Sequence, residues 1–235
     1  MKKTLLLTLL LILGMSIPIH AQSKKDYIVR AAINAGWTIK TGKTPNAYPL
    51  YYKDYLYNVT QGFAADANVQ FNINNLFVIG LHYDFFRKSH SMPLFQTTED
   101  GNTISWSINN TYTHDFIAFS LGIQKIDGKS RYMIQYMIGL MNYKEDGNYS
   151  PYNKWLTNYS VGHCLGHGMM AGYDYMLNEH TAIGIEVTYC IGNITKLNQQ
   201  GHLDNLNELV SETIYLNDPI SLSRINPKAG LRYYF

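Results

Sequence analysis

Apolar and polar residues alternate with a period of two in eight runs along this chain. In the first, Tyr27, Val29, Ala31, Ile33, Ala35, Trp37 and Ile39 stand on one face, and Arg30, Asn34, Gly36, Thr38 and Lys40 on the other. That spacing predicts a strand, and one longer than the usual length of about 5–6 residues. The same pattern returns from Phe63 to Ile73, Phe77 to Phe85, Ile117 to Gln124, Tyr132 to Leu140, Leu165 to Tyr175, Ile183 to Ile191 and Arg224 to Phe235. The second-to-third, fourth-to-fifth and sixth-to-seventh links are short and turn at Asn74-Asn75, Asp127-Gly128 and Asn178-Glu179. The other four links are about twenty residues or longer. Short turns on one side, long loops on the other and an even strand count are the pattern of a transmembrane barrel.

A soluble sandwich or lipocalin-type barrel also alternates, so the charges decide. Across the middle of all eight runs the apolar face carries no Asp, Glu, Lys or Arg. The opposite face carries Arg30, Asp66, Asp84, Asp174, Glu186, Arg224, Lys228 and Arg232. A soluble barrel would put charges outside and apolar bulk inside. Here the charged face is the enclosed one, and the apolar face looks into lipid. The predicted fold is therefore all-β, an eight-stranded antiparallel up-and-down transmembrane β-barrel. Leu231, Tyr233 and Phe235 become lipid-facing residues of a closing strand that pairs with the first and leaves no free edge. Asp66 and Glu186 lie at a depth similar to Arg30 and Arg232, and are the expected partners of those arginines.

The N-terminus suits export. Lys2 and Lys3 precede an apolar run from Leu5 to Leu13, Pro18 breaks it, and Ala21 offers a small residue for cleavage. Residues 1–21 read as a signal peptide and 22–235 as the barrel domain. No cysteine follows the junction, so no lipid anchor is expected there. Without Lys2 and Lys3, the 19 basic residues fall to 17, against 17 acidic ones. A neutral chain implies no nucleic-acid partner. The 20 tyrosines suit interfacial girdles, with the ring in lipid and the hydroxyl wet. Cys164 and Cys190 read as two small buried residues.

The signal peptide, the eight runs, the order of long and short links and the terminal "GLRYYF" together resemble the small porin-like outer-membrane β-barrel proteins. These include the OmpA transmembrane domain, OmpX and the PorT-type barrels. The resemblance spans nearly the whole mature chain and implies location in the bacterial outer membrane, in contact with its lipid. It also implies that the final strand, through Leu231, Tyr233 and Phe235, is read by the barrel assembly machinery. No peptidoglycan-binding domain is expected after the barrel.

Four kinds of chemistry are open to such a chain. Eight strands enclose a space that side chains can fill, and Met133, Gln135, Met137 and Met170 join the charges on the inner face, so a plugged lumen is expected and a narrow pore is the alternative. A lipid-A-modifying enzyme would need a hydroxyl, a His and an orienting group at the outer rim. Ser160, His163, His167, Asp115 and His114 are rim candidates, but "SVGHCLGHG" matches no nucleophile elbow or phosphate loop, so no catalytic residue is assigned and no enzyme is expected. His163 and His167 share a strand face about 13 Å apart, so neither metal nor cofactor is expected. Surface contact with an extracellular protein or glycan is favoured, through the tyrosines of Tyr48 to Tyr57 and through Tyr149, Tyr152, Trp155 and Tyr159. Within the long links, "TTEDGNTISW" around Asp100-Gly101 predicts a hairpin. "LDNLNELVSETI", from Leu203 with Asp204 as cap, predicts a short amphipathic helix.

Overall fold

The structure, a computed structural model, describes residues 28–42, 60–97, 103–149, 156–203 and 208–235. The predicted signal peptide lies outside them. Ten antiparallel strands trace eight positions around a closed wall. The first six are β1 (Val29–Lys40), β2 (Gly62–Asn72), β3 (Phe77–Thr97), β4 (Thr103–Asp127), β5 (Ser130–Tyr149) and β6 (Leu156–Met176). β7 (Thr181–Ile191) and β8 (Asn193–Leu203) are the two halves of the seventh position, bent at Gly192. β9 (Glu208–Ser221) and β10 (Arg224–Tyr234) form the eighth, bent at Leu222 and Ser223. β7 pairs with β10 and one end of β6, while β8 pairs with β9 and the other end. The ring closes through β1–β10 and β5–β6. Closure pairs the backbone groups that a bilayer cannot hydrate.

The three tight turns share one end with both described termini. In the β4–β5 turn Gly128 has φ 57°, the left-handed conformation that a two-residue hairpin demands of its first residue. Asn74 Oδ1 accepts the amides of Leu76 and Phe77, and Asn178 Oδ1 those of His180 and Thr181. The same side-chain device closes the other two turns. By the barrel rule this end is periplasmic. Phe235 N donates to Val29 O at 2.9 Å, so the last residue closes the ring beside the first strand.

The outward face is a belt of exposed apolar side chains, among them Ile33 (62% exposed), Leu140 (55%) and Leu165 (59%). On the periplasmic side the Tyr132 and Tyr173 rings pack at a tilt with centroids 5.2 Å apart, and Tyr233 packs on His180 and Phe235. At the other edge Asp115, Asn142 and His163 lie side by side across β4, β5 and β6 and end the belt. The strands do not stop there. β3, β4, β5 and β6 run 20 to 25 residues, about twice the 9–11 needed to cross a bilayer. The long links expected between the third and fourth runs and between the fifth and sixth are thus mostly strand. Outward residues turn polar above the belt (Arg87, Ser89, Thr111, Lys144), so the alternation fades while backbone pairing continues.

The hairpin expected near Asp100 is the tip of β3–β4, where Thr97 faces Thr103; residues 98–102 lie outside the described set. Of the helix expected from Leu203, residues 204–207 lie outside the described set and the rest is strand. Glu208 to Ile214 belong to β9, paired with β8. A short helix there would leave the edge of β8 unpaired, whereas a strand satisfies both backbones.

Candidate functional site

The lumen gathers the side chains that the inward parity of the strands supplies. All eight charges expected on the inner face are buried there, from Asp174 at 0% to Asp66 at 8% exposed. They form two clusters. In the periplasmic one, Asp174 accepts from Arg30 Nε (2.7 Å), Arg232 Nε (2.7 Å) and Tyr234 OH (2.6 Å). Glu186 Oε1 lies 2.7 Å from Arg30 Nη2 and 3.1 Å from Arg232 Nη2. In the outer cluster, Asp84 meets Arg224 Nη2 at 2.9 Å and Lys228 Nζ at 2.6 Å. Lys228 also pairs with Asp66. Asn34 ties the two clusters, donating to Asp66 and Glu186.

The expected partnership of Arg30 and Arg232 with Glu186 is present. Asp66 instead serves Lys228, and Asp174 takes its place. Strands in a barrel are tilted and staggered. Equal counts from the strand ends therefore do not give equal depth: Asp66 stands opposite Asn34, four residues above Arg30.

Beside the periplasmic cluster, the sequence reading missed Tyr234 and Arg131. Tyr234 lies between outward Tyr233 and Phe235, and Arg131 just precedes outward Tyr132. Both are buried, with Arg131 Cζ 4.4 Å from the Tyr234 ring centroid. Extending each run by one inward position would have found them.

The β4–β5–β6 side of the lumen is apolar. Met133, Met137, Met141, Met170 and Phe116 are buried, and three glycines of β6 give the methionines their room. A Cβ at Gly166 would stand 2.4 Å from Met141 Cγ, one at Gly168 2.8 Å from Met137 Cε, and one at Gly172 2.9 Å from Met133 Cγ. Unbranched thioethers fill such irregular space well. His82 Nε2, 3.1 Å from both Ser120 Oγ and Gln135 Oε1, sits among the polar groups between the two sides. Farther out, Glu145 accepts from Asn110, Tyr112 and Tyr143. Ile194, Leu197 and Leu222, at the bends of the seventh and eighth wall positions, complete the packing.

The rim candidates do not converge. Ser160 and His114 face the lumen, with His114 edge-on to Phe86 and Tyr143. His163, His167 and Asp115 face outward; His167 Nδ1 is 2.5 Å from Tyr136 OH, and Asp115 accepts from Tyr83 OH. Among the described residues no group of three or more His, Cys, Asp or Glu is placed to hold a metal. Cys164 and Cys190 are free thiols. Of the aromatic loop residues, Tyr48 to Tyr57, Tyr152 and Trp155 lie outside the described set. Tyr149 ends β5, and Tyr159 lies under Lys144 Nζ at 4.9 Å.

A closed barrel with charges inside and an apolar belt outside defines a bacterial outer-membrane β-barrel protein. No known family's sequence profile matches the chain, and no curated protein matches it by sequence. Solved structures share the fold. A major outer membrane protein of Thermus thermophilus superposes with a TM-score of 0.57 at 10% identity, covering 89% of this chain and 100% of that one. The outer membrane protease OmpT of Escherichia coli gives 0.56 at 12% identity, over 92% and 99% of the two chains. OprG of Pseudomonas aeruginosa gives 0.47 at 11%, over 89% and 97%.

Proposed function

We propose that this protein is a non-conducting outer-membrane barrel that carries a raised wall of strands and loops for contact at the cell surface, and that it is not an enzyme. The observation that supports this reading is the set of buried side chains on the inner face: two ion-pair clusters and a methionine-aromatic core. The long outer strands favour the surface role. They extend well past the belt, and the tyrosine-rich stretches at their ends offer contact area at low entropic cost to an extracellular protein or glycan. Ser160 and His163 point to opposite sides of the wall, which speaks against a lipid-A-modifying site. The fold shared with a protease, at 12% identity, carries over no catalytic residue. In planar bilayers the purified protein is expected to show no steady single-channel conductance. A reproducible conductance would overturn the closed lumen and favour the narrow pore.

Leu231, Tyr233 and Phe235 serve in this reading as the assembly signal. All three are exposed on the outer face of β10. Deleting Phe235 removes an aromatic ring and the amide that bonds Val29 O. Slower insertion is expected, read as loss of heat-modifiable protein in outer membranes. Normal levels would sink the assembly role.

A further inference from the structure

The outer end of the β1–β10 seam carries an unbalanced charge. Lys40 and Arg224 are direct cross-strand partners there, and both occupy lumen-facing positions of their strands. Like charges directly opposite destabilise a strand pair. Arg224 has one carboxylate, Asp84, which it shares with Lys228; Lys228 in turn holds Asp66. Three cations thus face two carboxylates.

The donors around that surplus are unused. Among the described residues Arg224 Nε and Nη1 are buried without a hydrogen-bond partner, and so are both ring nitrogens of His114. Arg224 is 3% exposed and His114 7%. Lys40, Arg224 and His114 line one small cavity, to which Thr38 and Ser223 add hydroxyls and Phe86 an apolar wall. The cavity has room for a single water-sized body. A phosphate or carboxylate would not fit whole within that space, which is open on one side. A water molecule would accept hydrogen bonds from Arg224 but would bring no counter-charge to the third cation, half-buried Lys40.

We infer that this cavity binds one monoatomic anion of the size of chloride, held by Arg224, Lys40 and His114. A spherical anion accepts several N–H donors without imposing directions of its own, which suits a guanidinium edge, an ammonium and an imidazole converging from three strands. The inference goes beyond the surface role proposed above and does not depend on it.

The test uses the mature protein in detergent. Crystals grown in sodium bromide are expected to show an anomalous peak in contact with Arg224. In urea, replacing gluconate by chloride at constant ionic strength is expected to lower the unfolding equilibrium constant about elevenfold when chloride reaches ten times its dissociation constant. Lys40→Met is the control variant, because Lys40 is only half-buried and ends its strand, so the substitution leaves the backbone ladder in place. It should abolish both signals while keeping heat-modifiable migration. A cavity without an anomalous peak overturns the inference. So does a chloride effect that is the same in Lys40→Met, since that effect would then be a general one of the salt.

Discussion

Asp174→Ala is expected to lower the unfolding free energy by about 3–5 kcal/mol, read as a large drop in the urea midpoint in detergent. Asp174 is fully buried, and its two oxygens take Arg30, Arg232 and Tyr234. Its removal leaves two buried guanidinium groups sharing Glu186 alone. The cost comes mainly from those stranded cations, not from the attraction lost. The exposed pair Lys144–Asp146 provides the contrast. Its side chains are 44% and 41% exposed at 3.1 Å, and water and salt already screen them. Asp146→Ala should therefore cost less than about 1 kcal/mol in the same assay. Equal losses at the two sites would mean that the lumen is hydrated and that its ion pairs are worth no more than surface ones.

Which face carries the charges was readable from the sequence because a bilayer inverts the usual arrangement. Asp66, Asp174 and Glu186 alternate with Ala67, Tyr173 and Ile185 as they could in a soluble sheet; the eight charge-free apolar faces, joined by short and long links in turn, decide for a membrane. The partners were less readable. Asp66 and Asp174 differ little in sequence context, yet stagger sends one to Lys228 and the other to Arg30 and Arg232. Stagger is a property of the closed ring and is not written in any single strand. The outer halves of β3 to β6 were hidden for another reason. Above Phe85 and Ile117 the outward residues turn polar while Phe86, Tyr112 and Phe116 face inward, so the apolar-outward pattern is lost although the hydrogen-bonded ladder is not. The helix expected from Leu203 failed similarly. Its spacing suits a helix, but the open edge of β8 offers the backbone a partner that a short isolated helix lacks. The surplus cation at Lys40 became visible only when the register placed it opposite Arg224.

The seam between β1 and β10 is where one added side chain should do most harm. Gly230 faces Asn34 across it, and a Cβ there would lie 1.9 Å from Ile33 O and 2.8 Å from Asn34 Cα. Gly36, two positions along on the partner strand, meets Pro227 O and Lys228 Cα in the same way. These are backbone atoms, so no rotamer change relieves the overlap. Gly230→Val must push the two strands apart. Overpacking a soluble core costs about 1–3 kcal/mol, but here the displaced ladder would open in lipid, where each unpaired backbone group costs several kcal/mol. Asn34 would also lose its place between Asp66 and Glu186. The expected result is loss of the closed barrel, seen as a Gly230→Val protein that no longer shows heat-modifiable migration. Ala229→Val, one residue away and facing lipid, should change stability by no more than about 0.5 kcal/mol. If Gly230→Val folds as fully as Ala229→Val, the strands are not packed this closely at the seam, and closure does not depend on glycine there.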